Sequence, residues 1–246
     1  VEKERSSGVT LTAIGFGTGN YNEAMMERIA DAGNGNYAYI DSLSEAQKVL
    51  VEELSSTFNT VAKDVKIQIE FNPAQISEWR LIGYENRVLN EEDFRNDRVD
   101  AAEVGAGKSV TALYELTPVG KPTLQGERRY AALPSTKPAN AKTNEIGELR
   151  LRYKKPDGEK SAEMRSVVAG DSAKFLTSNI QASDDFKFAA AVAGYGQLLR
   201  NSKYLGTWTY DDAANLAQTA IANDNRGYRQ EFVKMVKLAS VLNKAN

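Results

Sequence analysis

Three short motifs in this chain have residue types and spacings that could carry chemistry. The first, residues 15–20, is glycine-rich, follows an apolar run and precedes a helical pattern. In this context backbone N–H groups can converge on a phosphate. The Gly-x-Gly-x-Gly spacing is one residue short of the dinucleotide fingerprint, and a tight turn between strand and helix explains the glycines without a ligand. The candidate ligand loop consists of Gly15, Gly17, Thr18, Gly19 and Asn20.

The second motif, Ala102-Glu103-Val104-Gly105-Ala106-Gly107-Lys108-Ser109, satisfies a relaxed phosphate-loop pattern with Ala in the first Gly position. A phosphate loop needs a buried strand before it and a helix after it. Residues 96–100 are polar instead, and residues 110–114 alternate as in a strand. We therefore favour a Gly-rich turn leading into a strand. A nucleotide-dependent enzyme or switch using Ala102–Ser109 is the alternative.

The third group consists of acidic motifs that could attract a divalent cation. Asp41-Ser42-Leu43-Ser44 resembles an oxygen-rich metal loop, but its serines are one residue away from Asp-x-Ser-x-Ser spacing. Glu45 follows Ser42 at capping-box spacing, so helix capping is the better explanation. A carboxylate cluster further along lacks EF-hand spacing and is favoured as a solvated turn. It comprises Glu91, Glu92, Asp93, Asp97 and Asp100, interrupted by Arg95 and Arg98.

Basic and aromatic side chains supply two weaker candidates. One predicted strand carries three basic residues at alternate positions, Arg150, Arg152 and Lys154. We interpret them as the solvent-exposed face of the strand rather than as a binding surface. A glycan-binding sandwich is a further alternative, although core packing is the favoured role of the aromatics it would use. These aromatics are Trp79, Tyr84 and Tyr114.

The composition excludes several common catalytic sites. The 246-residue chain contains no histidine and no cysteine, so it cannot form a disulfide framework, a thiol nucleophile or a Ser-His-Asp triad. We predict no enzyme activity, no catalytic residue and no cofactor or metal site in this chain. Its 31 basic and 33 acidic residues are interspersed and give a net charge of −2, which disfavours nucleic acid as a partner.

Localisation signals are also absent from the sequence pattern. No apolar run approaches the roughly 18 residues that a membrane helix needs. The chain does not begin with Met, and residues 1–5 resemble the end of a helix. We therefore expect a segment of a longer protein, with any export or anchoring signal upstream.

The elements predict an α+β fold in three parts. Residues 1–60 contain strand, helix, strand and helix patterns, which indicate part of a doubly wound parallel sheet. Residues 61–180 contain alternating strands that favour an antiparallel β-sandwich-like domain, with a long proline-containing loop over 117–147. A turn signal at residues 156–158 predicts a return strand near residues 162–168. Residues 181–246 are alanine-rich and predict helices that pack on the β domain. Ser183 and Thr209 are candidate N-caps of these helices.

The first part carries a resemblance to a known family. Residues 8–17 and 33–41 resemble the last two strands of a von Willebrand factor type A domain, and the whole chain resembles the C-terminal portion of a bacterial family in which an extension follows that domain. The stretches similar to the extension are residues 62–73, 81–87, 110–115 and 188–193.

The resemblance implies a non-catalytic protein-interaction or structural module with a protein partner, in the bacterial cell envelope or periplasm. Type A domains generally bind partners through Mg²⁺ held by an Asp-x-Ser-x-Ser loop. That loop would precede Val9, so Mg²⁺ is expected only in the full-length protein. The resemblance also implies that a shift of the last type A helix, residues 44–58, could be transmitted to the strand beginning near Val65. We expect the exposed sheet edge and apolar helix faces of residues 9–58 either to cause self-association or to leave the first strands poorly ordered.

Overall fold

A computed structural model describes residues 9–17, 19, 21–53, 59–83, 89–99, 101–124, 126, 144–170, 182–222 and 224–244. The fold is α+β. The strands are β1 (Ala13–Phe16), β2 (Tyr37–Ile40), β3 (Thr60–Phe71), β4 (Ile76–Ile82), β5 (Ala102–Gly105), β6 (Leu113–Pro118), β7 (Glu145–Lys154) and β8 (Ser161–Ala169). The helices are α1 (Glu23–Ala32), α2 (Leu43–Gln47), α3 (Asp184–Leu199), α4 (Tyr210–Gln218) and α5 (Tyr228–Lys244).

The first elements form the predicted strand–helix–strand unit. β1 and β2 pair in parallel, from Ala13 opposite Tyr37 to Phe16 opposite Ile40. The intervening helix α1 is capped by Asn22, whose side chain accepts a hydrogen bond from Met25 N at 3.0 Å. β1 begins at Ala13, four residues later than the apolar run suggests, because residues 9–12 make only isolated backbone bonds.

The helix after β2 changes its hydrogen-bond pattern. α2 begins after Ser42, whose hydroxyl accepts from Glu45 N at 3.2 Å, as the capping-box spacing predicts. It continues directly as a π-helical turn, Lys48–Glu52, which ends where Glu53 N donates to Lys48 O at 2.9 Å. The sequence predicts a regular helix over 44–58. The π turn was not predicted, and residues 54–58 lie outside the described residues.

A four-stranded sheet follows, with the order β5-β3-β7-β8. β5 pairs antiparallel with β3 across two register irregularities, at residues 60–62 and 62–65 of β3. Asp64, within the second of these, adopts a left-handed φ of 50°. β7 and β8 are adjacent, which confirms the predicted return strand after the turn at 156–158. β5 is a strand that the sequence interpretation missed.

A buried lysine fixes the polar turn after β4 to this sheet. Lys66 on β3 is 4% exposed, and its ammonium donates to the carbonyls of Asp93 at 3.2 Å and Asn96 at 2.5 Å. The predicted solvated turn is in fact a 3₁₀ helix, Glu91–Arg95, with Phe94 buried. A buried ammonium is tolerated only when such acceptors replace water.

A second sheet pairs β4 with β6 in antiparallel register. Arg80 of β4 forms an ion pair with Glu115 of β6 at 2.5 Å and also donates to Gln197 of α3 at 3.2 Å. Arg200, at the end of α3, donates to the carbonyl of Gly83 at 2.7 Å. These contacts attach the helices to the β4–β6 sheet.

The three C-terminal helices form a core of small and aromatic side chains. Ser183 and Thr209 cap α3 and α4, as predicted, and Thr209 forms a complete capping box with Asp212. One buried cluster consists of Tyr195, Ala213, Ala214 and Val236, and another of Ala191, Ala217 and Val233. The fully buried alanines allow α4 to approach its neighbours closely.

The chain divides into two compact units that interleave along the sequence. One comprises residues 1–70, 89–110 and 148–167, and the other residues 71–88, 111–147 and 168–246. The first contains β1, β2, α1, α2 and most of the four-stranded sheet; the second contains the β4–β6 sheet and α3–α5. The division at 1–60, 61–180 and 181–246 stays a prediction, as does the sandwich. Most of the loop predicted over 117–147 lies outside the described residues.

Candidate functional site

The glycine-rich loop lies between β1 and α1, at the carboxyl end of β1. Gly17 has a left-handed φ of 76°, a conformation that favours glycine. A methyl group at Gly19 would meet no atom within 4 Å. Thr18 and Asn20 lie outside the described residues. The loop therefore turns as a strand-to-helix connection requires.

A group of three tyrosines packs on this loop, and the sequence interpretation missed it. A Cβ at Gly15 would lie 2.2 Å from the ring of Tyr21, so this glycine makes room for an aromatic side chain. The ring of Tyr21 lies 4.8 Å from that of Tyr39, and the Tyr39 hydroxyl donates to Gly17 O at 2.6 Å. The period-2 spacing of Tyr37 and Tyr39 on β2 places both on one face of the strand, and that was the available signal.

Two of the tyrosine hydroxyls contact each other at this edge. The Tyr21 and Tyr37 hydroxyls form a hydrogen bond. Burial and this hydrogen bond raise the pKa of Tyr21 to about 12. Gly15 and Gly17 are explained by contacts within the protein, and the ligand role of the loop stays a prediction.

The phosphate-loop pattern at 102–109 has a different local structure. Its first four residues form β5, Gly107 turns with a left-handed φ of 77°, and the next regular element is strand β6. The turn into a strand was the favoured prediction. Lys108 extends to Glu53, with 2.6 Å between Nζ and Oε2. The helix N-terminus that would complete a phosphate site does not follow this turn.

Basic side chains of β7 form ion pairs across the four-stranded sheet. The sequence predicts a solvated face, but the side chains of Arg150, Arg152 and Lys154 are only 16–23% exposed. The pairs are Arg150–Glu70 at 2.6 Å, Arg150–Glu148 at 2.7 Å, Arg152–Asp97 at 2.9 Å and Lys154–Asp64 at 2.5 Å. The prediction that these side chains form a solvent-exposed face is wrong, because carboxylates from neighbouring segments cover them.

Asp97 connects this network to β8. It accepts hydrogen bonds from the Ser161 hydroxyl at 2.5 Å and from Arg152 at 2.9 Å. These two bonds hold the pKa of the Asp97 carboxyl below its ordinary value. A hydrogen bond to Asp64 raises the pKa of Lys154. Asp93, which accepts from Asn90 at 3.2 Å, and Asp97 thus make structural contacts. Glu91 and Glu92 are exposed, as the prediction of a solvated cluster expects, and Asp100 lies outside the described residues.

The aromatic residues on the β4–β6 sheet are more accessible than predicted. Trp79 is 53% exposed, which corrects the expectation that it belongs to the core. Its ring lies 5.5 Å from that of Phe71 and 6.0 Å from that of Tyr114. Arg80 follows Trp79 and so projects from the other face of β4, where it contacts Gln197 of α3. Tyr84 lies outside the described residues.

The described part of the chain contains neither a membrane-spanning helix nor a group of metal-binding side chains. No helix there is long and apolar enough to cross a bilayer. No group of three acidic side chains is arranged there to hold a metal ion.

Comparison with known proteins identifies relatives over most of the chain. A curated protein from Escherichia coli (strain K12), described as uncharacterized protein YfbK, is 50% identical over 240 residues. That match covers 97% of this chain but 40% of the relative, so the chain spans about two fifths of the length of its curated relative.

Two solved structures also align with the chain. The ArnB paralog VWA2 from Sulfolobus acidocaldarius is 16% identical, with a TM-score of 0.41, covering 96% of this chain and 54% of that one. A von Willebrand factor type A protein from Catenulispora acidiphila is 15% identical, with a TM-score of 0.39 and coverages of 96% and 53%. The family model described as "Uncharacterized protein YfbK, C-terminal" matches residues 56–242, and the chain belongs to this family.

Proposed function

We propose that this chain is a non-catalytic interaction or structural module of a longer bacterial envelope-associated protein. In this proposal, residues 9–53 belong to the end of a von Willebrand factor type A domain, and the last helix of that domain is mechanically coupled to the four-stranded sheet. A type A metal site holding Mg²⁺ would belong to the full-length protein, and its ligands would come from outside this chain.

One observation carries the proposed coupling: the end of the last helix is joined to the turn after β5. The carboxylate of Glu53 and the ammonium of Lys108 form an ion pair at 2.6 Å. A few residues later, Ala106 N donates to Asn59 O at 2.8 Å. We name these two contacts the helix–turn joint. They connect segments about 50 residues apart in sequence within one compact unit.

The structure of the helix suits a transmitted shift. Each hydrogen bond of a π-helical turn spans one residue more than a hydrogen bond of the flanking α-helix, and such turns occur frequently at functional sites. Here the π turn, Lys48–Glu52, lies directly before Glu53. A change of the turn to regular α-helix would rotate Glu53 about the helix axis and therefore pull on Lys108. The strand β3, which begins at Thr60 and pairs with β5, would receive the displacement.

Exposed apolar side chains on the same segment support a role in protein contact. Phe16 at the end of β1 is 62% exposed, Leu43 on α2 is 88% exposed and Val51 in the π turn is 68% exposed. Large apolar side chains that remain in water mark interaction surfaces where they lie together. A further part of the same longer protein or a separate partner would bury them.

The coupling is tested by reversing one charge of the joint. We expect Lys108→Glu to increase amide hydrogen exchange over residues 43–53 as well as at the turn 105–108, because two carboxylates would then repel each other. The double variant Glu53→Lys/Lys108→Glu should restore protection. Lys121→Glu makes the same charge change at an exposed position in the other compact unit and serves as the control. Unchanged exchange over 43–53 in Lys108→Glu would contradict the coupling.

A glycan-binding role is the second candidate, and the exposure of Trp79 favours it. An indole ring that is half in water and buttressed by Phe71 and Tyr114 offers the flat apolar surface on which a sugar ring packs. A glycan array screens for ligands, and Trp79→Ala should abolish any binding found. Trp208→Phe is the control, since Trp208 packs within the helical core. An array with no binder, or binding that Trp79→Ala leaves intact, argues against this role.

A further inference from the structure

Strand β8 presents a long, exposed edge. It is the last strand in the order β5-β3-β7-β8, and no described strand pairs with its outer side. Residues 162–169 are all exposed, with Met164 at 56% and Val167 at 48%. The opposite edge strand, β5, has only four residues. An unpaired edge of this length offers free N–H and C=O groups to another strand, unless proline, bulges or repelling charges prevent the pairing.

The backbone direction of β8 defines which residues can pair. Gly170 N donates to Asn144 O at 2.8 Å, towards the neighbouring chain segment. Because N–H and C=O directions alternate along a strand, the even-numbered residues bond inwards and the odd-numbered residues bond outwards. We therefore expect the backbone groups of residues 161, 163, 165 and 167 to face the open edge.

The charges on this edge are self-complementary. Glu163 and Arg165 lie two residues apart on one face of β8 and pair with each other, with 2.7 Å between Nη2 and Oε1. In an antiparallel pair of two β8 strands with its two-fold axis at Met164, Glu163 lies opposite Arg165 of the partner subunit. An axis at residue 163 or 165 would place like charges opposite each other, which is destabilising. An axis between two residues would place the outward-facing backbone groups of one strand opposite the inward-facing groups of the other, so they could not form hydrogen bonds.

We propose that β8 is a homotypic interface at which two copies of this chain pair antiparallel over residues 161–167, about a two-fold axis at Met164. The pairing forms about eight main-chain hydrogen bonds, two in each of the four pairs of outward-facing residues. It joins the intramolecular Glu163–Arg165 pairs of both copies into one four-charge network, and it packs Met164 against Met164 of the partner subunit. This interface is separate from the β1–β2 segment and does not depend on the proposed type A domain.

The absence of cysteine from the chain allows a direct test of the register. At the axis, the two residues 164 form a pair without main-chain hydrogen bonds, with Cα atoms about 4.5 Å apart, which is within disulfide range. Met164→Cys should therefore give a covalent dimer under mild oxidation at micromolar protein. Ala162→Cys is the matched control on the same face of the same strand. Its two copies would be offset by four residues, or about 13 Å, beyond disulfide reach.

The expected result is crosslinking of Met164→Cys at least about tenfold faster than of Ala162→Cys, followed on non-reducing gels. Equal rates for both variants, or no covalent dimer from Met164→Cys, would overturn the proposed register.

Charge reversal tests the interface without a disulfide. In sedimentation velocity, the unmodified chain should dimerise, and Arg165→Glu should weaken the dimer about tenfold because it places acidic residues opposite each other. The double variant Glu163→Arg/Arg165→Glu should restore dimerisation. Circular dichroism confirms that each variant is folded. A chain that stays monomeric at high concentration, or a dimer that Arg165→Glu does not weaken, overturns the proposal.

Discussion

Two glycines on α3 give the sharpest prediction about the packing of the helical core. A Cβ at Gly194 would lie 2.4 Å from Nε1 and 2.8 Å from Cε2 of Trp208, whereas a Cβ at Gly196 would meet no atom within 4 Å. Both positions are within the same helix, two residues apart. The substitutions Gly194→Ala and Gly196→Ala therefore add the same methyl group to a crowded and to an open site.

The expected magnitudes follow from two contributions. Replacing glycine by alanine in a helix interior stabilises by about 1 kcal/mol, and this gain is common to both variants. Forcing a methyl group into a packed core costs about 1–3 kcal/mol. This cost applies to Gly194→Ala alone, because the indole of Trp208 packs on Tyr195 and its cluster and cannot move freely. Gly196→Ala should gain about 1 kcal/mol, and Gly194→Ala should lie about 1–3 kcal/mol below it.

The assay is urea unfolding followed by circular dichroism at 222 nm, which reports chiefly on α3–α5. The free energies of unfolding are compared at equal m-values. Adding Trp208→Phe to Gly194→Ala should recover part of the loss, since a smaller ring leaves room for the methyl group, and a double-mutant cycle measures that coupling. Equal stabilisation by Gly194→Ala and Gly196→Ala would refute the proposed contact between Trp208 and α3.

Three further predictions concern other parts of the chain. Gly35→Ala should displace the turn after α1 from residue 11, because its Cβ would lie 1.8 Å from the backbone oxygen of Leu11. Hydrogen exchange over residues 11–16 should therefore rise. Gly19→Ala adds a methyl group in open space and should leave that exchange unchanged. Asp97→Asn should destabilise the protein at neutral pH. The folded-state pKa of Asp97 lies below the ordinary 3.8, so its contribution is present above pH 3.8 and is lost as the pH falls through the folded-state value. Stability curves of the two proteins should therefore converge in acid, and a constant difference would contradict the contact with Ser161. Val236→Ala, at a fully buried site, should cost about 2 kcal/mol in urea unfolding, and a loss of under about 0.5 kcal/mol would contradict its central place in the core.

Local signals in the sequence predicted the helices and most strands well. Caps such as Ser42 and Thr209 are short-range features, and the structure confirms the hydrogen bonds that their spacing predicts. Alternation in β3 and the turn before β8 also identify strands, because a half-buried strand has a side-chain period of two. The parallel pairing of β1 with β2 follows from the helix between them.

Features that depend on distant residues could not be predicted in this way. β5 has only four residues, Ala102–Gly105, and its place in the sheet depends on pairing with β3. The basic face of β7 looks solvated in sequence, since the carboxylates that cover it come from Glu70, Asp97 and Asp64 on other segments. The tyrosines that pack on the glycine-rich loop likewise lie before and after α1 in the sequence.

The proposed coupling between the helix after β2 and the four-stranded sheet is best tested by hydrogen exchange on the full-length protein. Exchange is compared in Mg²⁺ and in chelator, with residues 44–70, which include the described part of the helix and β3, as the reporters. If the helix transmits a shift, protection over 44–70 changes with Mg²⁺, and Lys108→Glu, which breaks the ion pair with Glu53, removes the change over residues 60–70 while leaving it over the helix. Protection over residues 44–70 that is the same with Mg²⁺ and with chelator would rule out the coupling.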